Sequence, residues 1–170
     1  EFQADLPIAN IVWGDQTRYM IWFFLFGLLW CVAFIICLQQ FMIAATVCQW
    51  YYTGQGEEMA DSPYTTSVWR SFKWGIWYHC GSIAFGSFII ALITMIRIIF
   101  EYIVYKYEQV GNKENPVYKA AKCCIRYFLW CLDKYVKCIS KNAFIQIALQ
   151  STNFCSAAWA SFWLIIRHCG

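Results

Sequence analysis

The feature that most constrains this chain is a run of twenty residues without a charge, from Tyr19 to Leu38. As an α-helix, such a run is about 30 Å long, which matches the hydrocarbon core of a bilayer. A second uncharged run of 23 residues, 74–96, lies between Lys73 and Arg97. We therefore predict that each run crosses a membrane as a helix.

The composition of the chain agrees with this prediction. Of its 170 residues, 61% are hydrophobic and only 14% are charged, whereas a soluble domain carries about 25% charged residues. No basic face with interleaved base-stacking positions lies outside the apolar runs, so the sequence indicates no nucleic-acid partner. We expect an all-α integral membrane protein with two transmembrane helices and amphipathic interfacial helices, forming part of a larger helical bundle.

Breaks in the apolar pattern divide the chain into segments. The predicted division is 1–18, a surface or interfacial segment; 19–52, a long transmembrane helix; 53–73, an extracellular or lumenal loop; 74–107, a transmembrane helix; 108–116, a cytoplasmic loop; 117–141, an amphipathic cytoplasmic surface helix; and 142–170, a second interfacial or re-entrant helix. Residues 105–141 hold eight Lys and Arg and residues 53–73 hold two. The excess of basic residues places 105–141 in the cytoplasm.

Segment 117–141 has charges at three- and four-residue steps. They are Lys119, Lys122, Arg126, Asp133, Lys137 and Lys141. A helix with one basic face is suited to lie at a membrane surface. The alternative is an ordinary surface helix of a soluble domain.

The second apolar run has a face of small and polar residues. This face comprises Gly75, His79, Ser82, Gly86 and Thr94, with Ile90 as its large member, and it continues to Arg97 and Glu101. Small residues let two membrane helices approach closely, so we expect helix packing at Gly75, Ser82 and Gly86. We expect the bulky residues to face lipid on the opposite side: Trp77, Ile83, Phe88, Leu92 and Ile99.

Polar side chains within the apolar segments are the candidates for a substrate path. They are Gln39, Gln40, Gln49, His79, Ser82, Gly86 and Thr94. Gly86 is included because it shares a helix face with His79, Ser82 and Thr94. Ionisable groups in spans usually face the bundle interior or a water-filled cavity. The alternatives are an interfacial, hydrogen-bonded His79 and glutamines that bond to other helices. For Arg97 and Glu101, four residues apart, we expect a local ion pair.

Aromatic residues are concentrated on both sides of the predicted loop. They are Trp50, Tyr51 and Tyr52 before it, and Trp69, Trp74, Trp77 and Tyr78 after it. They indicate either an interfacial belt or a cage for a quaternary ammonium group, and the belt is favoured.

The ten cysteines show no metal-ligand spacing, and we expect reduced thiols. Cys124, Cys131 and Cys138 share one helix face, where they could be palmitoylated, although burial as small apolar groups is favoured. We predict no metal, no cofactor and no enzyme activity, since GxSxG, HExxH and phosphate-loop motifs are absent from the sequence.

Five tracts in order carry a family resemblance. They are Cys37, Gln39, Gln40, Ile43, Ala44, Ala45, Trp50, Tyr51 and Tyr52; then Tyr78, His79, Gly81, Ser82, Ala84, Phe85, Gly86, Ser87 and Ile89; then Arg97, Glu101 and Tyr102; then Cys123, Cys124, Trp130, Cys131, Leu132, Asp133 and Lys134; and finally Asn142, Ala143, Phe144, Asn153, Phe154 and Cys155. Over about 37–168, they resemble the later membrane domain of the choline transporter-like family. Ala45 replaces the family's glycine, and Ala157, Ala158 and Trp159 replace charged residues.

The resemblance implies about ten spans, cytoplasmic termini and sodium-independent movement of choline or a related organic cation such as ethanolamine. We therefore expect part of a multi-pass carrier in the plasma membrane or an organelle membrane. Its expected partners are other transmembrane helices and membrane lipids. The alternative is a non-transporting structural subunit of a membrane complex, derived from the same fold. An open reading frame near 170 residues would favour the subunit, and one several times longer would favour the carrier.

Overall fold

The computed structural model describes residues 14–52, 67–109 and 116–168, which form five helices and, within these ranges, no strand. The helices are α1 (Asp15–Tyr52), α2 (Val68–Trp77), α3 (Cys80–Gln109), α4 (Pro116–Gln150) and α5 (Phe154–His168). The prediction of an all-α protein is confirmed. Most of the expected 1–18 interfacial segment, and most of the expected loops 53–73 and 108–116, lie outside the described residues.

Two helices, α1 and α3, are long and apolar enough to cross a membrane. With 38 residues, α1 measures about 57 Å, longer than a bilayer is thick. It must tilt or project beyond the hydrocarbon core. At its start, the carbonyl of Gly14 accepts hydrogen bonds from the N–H groups of Thr17 and Arg18, and Asp15 in the first turn complements the helix dipole.

The second apolar segment differs from the single helix expected over 74–107. Helix α2 begins at Val68, inside the expected loop, and the chain breaks at Tyr78 and His79 before α3 begins. Ser71 explains the early start, because it is fully buried and its hydroxyl lies 2.9 Å from that of Thr46 in α1. This tertiary contact outweighs the loop character of the local sequence.

The core lies where α1, α3, α4 and α5 meet. Its buried residues are Cys37, Phe41, Ala45, Ile83, Ala143, Phe144, Ile147, Phe154 and Ala157. Gly86 of α3 lies at the centre of this contact. A Cβ at Gly86 would lie 2.6 Å from the ring of Phe154 and 3.0 Å from that of Phe144. The missing side chain therefore admits both rings.

The prediction of which residues face lipid on this part of the chain is partly wrong. Trp77, which ends α2, is 80% exposed, as a lipid-facing residue should be, but Ile83 of α3 is fully buried. At about 100° per residue, Ile83 lies within roughly 20° of Ile90 and 40° of His79 around the axis. Ile83 therefore lies on the packed face of the helix, although it is a bulky residue.

Helix α4 runs antiparallel along α3. From one end to the other, the ring of Tyr118 lies 4.6 Å from Tyr107, Arg126 bonds to Glu101, Asp133 pairs with Arg97, and Phe144 reaches Gly86. From residue 118 to 144, this is about 39 Å of helix. Phe144 is thus level with the middle of the uncharged run 74–96.

This path differs from the expected division at 141/142, while the expected position of the helix at a membrane surface stays a prediction. Helix α4 continues to Gln150 without a break. Ser151, with a positive φ of 53°, reverses the chain, and α5 returns along α4, with Phe162 near Tyr135. Periodic charges predicted the helix but could not show which surface those charges meet.

The expected local ion pair between Arg97 and Glu101 is also wrong, because each binds α4 instead. Glu101 accepts a hydrogen bond of 2.8 Å from Nε of Arg126. This bond raises the pKa of the Arg126 guanidinium. The carboxylate of Asp133, only 8% exposed, lies 3.8 Å from Arg97 and 2.9 Å from Lys137. These pairs fix the register of α3 against α4.

The contact at Gly86 gives a first prediction. Gly86→Ala places a methyl group against two buried rings, and overpacking of this kind costs about 1–3 kcal/mol. In the matched variant Gly81→Ala, the added methyl meets open space, and helix propensity makes that change neutral or stabilising by up to about 1 kcal/mol. Thermal unfolding of the purified full-length protein should show a lower midpoint only for Gly86→Ala. Equal midpoints would contradict the packing described here.

The buried carboxylate gives a second prediction. Asp133→Asn leaves Arg97 and Lys137 without their anion, and we expect a loss of about 1–3 kcal/mol. The control is Asp15→Asn, because Asp15 is 89% exposed and lies 3.9 Å from Arg18; such a surface pair contributes at most about 1 kcal/mol. Fluorescence-detected gel filtration after heating measures both variants. A larger loss for Asp15→Asn would refute the assignment.

Candidate functional site

The seven candidate substrate-path residues do not converge on one site. Gln40 and Thr94 line one cavity between helices. Gln49 and His79 lie elsewhere, at the contact of α1 with α2 and at the break before α3. Gln39 is exposed on α1, and Ser82 is half-buried. Gly86 is closed off by the rings of Phe144 and Phe154.

Gln49 belongs to a polar contact between α1 and α2. Its Nε2 donates a hydrogen bond of 3.1 Å to the hydroxyl of Ser71, which also lies 2.9 Å from the hydroxyl of Thr46. Thr46 donates in turn to the carbonyl of Met42 at 2.8 Å. Bonding between helices was one of the two alternatives for this glutamine, and the geometry agrees with it.

His79 lies at the break between α2 and α3. Its ring is 5.2 Å from the ring of Phe41, and the residue is half-buried. Its backbone N–H donates at 3.3 Å to the carbonyl of Trp74, five residues earlier, instead of four as in an α-helix. Turns of this kind are common where an α-helix ends, and this one closes the last turn of α2. One turn earlier, Gly75 lies against Leu38 and Phe41, so this part of the polar face also meets α1.

The cavity that contains Gln40 and Thr94 has a volume of about 500 Å³ and lies between α1, α3 and α4. Its apolar wall is formed by Leu29, Val32, Ala33, Ile36, Cys37, Ile90 and Ala91, and α4 contributes Lys134, Lys137, Cys138 and Lys141. Among the described residues, the lining includes three lysines and neither a carboxylate nor an aromatic ring. Like charges repel, so this cavity disfavours an organic cation.

The lysines at this cavity are the feature that sequence reasoning missed. Lys137 and Lys141 were recognised as part of a charged stripe, but that stripe was expected to face water. Their four-residue spacing was the available signal. Nothing in the local sequence showed that α1 lies opposite them.

The aromatic residues near the predicted loop do not form a cage within the described part of the chain. A second cavity of about 390 Å³ is lined by Arg70, Lys73, Trp74, Trp77 and Tyr78, so two cations accompany its three rings. Tyr51, Tyr52, Trp77 and Tyr78 are each at least 70% exposed. Their exposure agrees with an interfacial belt.

Nine cysteines fall within the described residues, and all nine are free thiols. The expected burial of Cys124, Cys131 and Cys138 is not found: Cys124 and Cys138 are exposed and Cys131 is half-buried. Three or more His, Cys, Asp or Glu side chains do not come together as a metal site anywhere in the described ranges.

Comparison with known proteins gives the family. A family model described as plasma-membrane choline transporter matches residues 3–169. Choline transporter-like 2 of Drosophila melanogaster is 37% identical over 90% of this chain. Choline transporter-like protein 2 of Danio rerio is 33% identical over 98% of the chain, and choline transporter-like protein 4 of the same fish is 37% identical over 82%.

These matches cover only 18%, 24% and 18% of the three relatives. The chain thus spans about a fifth of the length of the relatives that it matches. The match to the family model nevertheless extends over almost the whole chain. This chain belongs to the choline transporter-like family of membrane transport proteins.

Proposed function

We propose that this chain is part of a multi-pass carrier that moves choline or a related organic cation such as ethanolamine across a membrane. The names of the relatives and the two membrane-spanning candidates, α1 and α3, support this proposal. The single observation that carries it is the helix break at Tyr78 and His79, inside an apolar segment. Many secondary transporters bind substrate where such helices are discontinuous.

His79 is the side chain we assign to the substrate path. It stands at the break, it is half-buried, and the ring of Phe41 lies beside it. An imidazole can accept a hydrogen bond from the hydroxyl of choline, and an aromatic face attracts a quaternary ammonium group. A carrier needs a second half that faces this site, and the rest of the longer protein would supply it.

Gln40 and Thr94 receive a different assignment. They line the cavity with Lys134, Lys137 and Lys141, where a cation is disfavoured. Gln49 bonds to Ser71, so its role is to join α1 to α2. Gly75, Ser82 and Gly86 are assigned to helix packing.

For the membrane topology, we propose that the end of α3 and the start of α4 face the cytoplasm. The lysines and arginines of residues 105–141 support this orientation. Helix α1 then begins in the cytoplasm and ends outside or in a lumen. The alternative function, a non-transporting structural subunit, requires the same packing but no substrate contact at His79.

The test is uptake of labelled choline by cells that express the full-length protein. The wild type should exceed background. His79→Ala should lower kcat/KM about fivefold or more, as expected when a hydrogen bond worth about 1 kcal/mol is lost. Gln40→Ala should change uptake by less than about twofold, since a residue outside the path contributes nothing to the transition state.

The matched control is Cys80→Ala, because Cys80 adjoins His79 and is exposed. It should transport like the wild type at equal surface expression. Wild-type uptake no greater than background would refute the carrier and favour the structural subunit. Normal uptake by His79→Ala would refute the assignment of this residue.

A further inference from the structure

The cavity between α1, α3 and α4 has two chemically different sides. On one side are apolar residues of α1, including Leu29, Val32 and Ile36. On the other side are Lys134, Lys137 and Lys141, on successive turns of α4. An occupant must therefore combine an apolar chain with a negative charge.

The positive charge at the cavity is only partly neutralised within the described part of the chain. Asp133 neutralises one of the three lysines, Lys137, at 2.9 Å, and it also lies 3.8 Å from Arg97. Lys134 lies 5.9 Å from the ring of Trp130, and no described carboxylate pairs with it or with Lys141. Lys134 and Lys141 can therefore attract an anion.

The size of the cavity limits what can enter it. Along α1, the lining extends from Leu29 to Gln40, which is about 17 Å of helix. The cavity holds about 500 Å³, which is within the usual range for a small ligand. A single acyl chain fits within this volume, and the rest of a lipid would lie outside it.

From these observations we propose that the cavity binds an anionic phospholipid, with its phosphate at the end of the cavity near Lys134, toward which the long side chains of Lys137 and Lys141 would extend from deeper in the membrane, and an acyl chain along α1. The cavity begins beside the Arg97–Asp133 pair, where the uncharged run 74–96 ends. Basic pockets between membrane helices bind anionic headgroups in this position. This inference does not depend on choline transport.

Cys138 offers a local readout, because it is exposed and lines the cavity. The full-length protein is reconstituted with phosphatidylcholine alone or with added phosphatidylglycerol, and maleimide labelling is followed for each cysteine by peptide mass spectrometry. Phosphatidylglycerol should slow labelling of Cys138 several-fold. Cys124 of the same helix, also exposed, should be labelled at an unchanged rate.

The affinity is measured by native mass spectrometry of the purified full-length protein with phosphatidylglycerol. Lys134→Gln combined with Lys141→Gln should weaken binding roughly 30-fold, since each lysine near an anionic lipid contributes about fivefold. The control combines Lys73→Gln with Lys106→Gln, which removes equal charge outside the cavity and should change binding less than about threefold. Both double variants should elute from gel filtration as a single species, as expected of a folded protein.

Three results would overturn the proposal. The first is equal protection of Cys138 by phosphatidylcholine and phosphatidylglycerol. The second is equal protection by glycerol phosphate, which would indicate a soluble phosphate instead of a lipid. The third is a Cys138 that cannot be labelled without phosphatidylglycerol, which would mean that another part of the protein covers the cavity.

Discussion

The arrangement of this chain depends on a close approach at one glycine. Gly86 has no side chain, so the rings of Phe144 and Phe154 enter the space that a Cβ would occupy. These rings come from α4 and α5, and the hairpin of these two helices is thereby held against α3. A membrane offers no hydrophobic gain for helix association, so close packing at small residues must provide it. The ion pairs and the lysine-lined cavity follow from the position that this contact gives α4.

With α4 alongside α3, charges that the sequence distributes between two helices come into contact. Arg97 and Glu101 are each bound by α4, and Asp133 is buried between two cations. The same arrangement brings three lysines to a cavity whose other wall is apolar. A cation and an anionic lipid thus require different places on the molecule. We propose the break at His79 for the former and the lysine-lined cavity for the latter.

The sequence predicts what depends on local composition. The uncharged runs predicted α1 and α3 because apolar length is sufficient for such an assignment, and small residues predicted the packed face of α3. The bounds of α2 depend on Ser71 meeting α1, and no local signal reports that contact. The path of α4 was not predicted, because a basic helix face has the same sequence pattern whether it faces water or a cavity. Ile83 was wrongly predicted to face lipid because it is bulky, although its angular position on the helix could be calculated from the sequence.

Photo-crosslinking from position 144 tests the central claim most directly. Benzoylphenylalanine in place of Phe144 is activated by light in the full-length protein within a membrane, and the adduct is identified by mass spectrometry. If α4 packs on α3 as described, the adduct joins position 144 to the peptide around Gly86 or to that containing Phe154. Adducts with lipid alone would contradict this account.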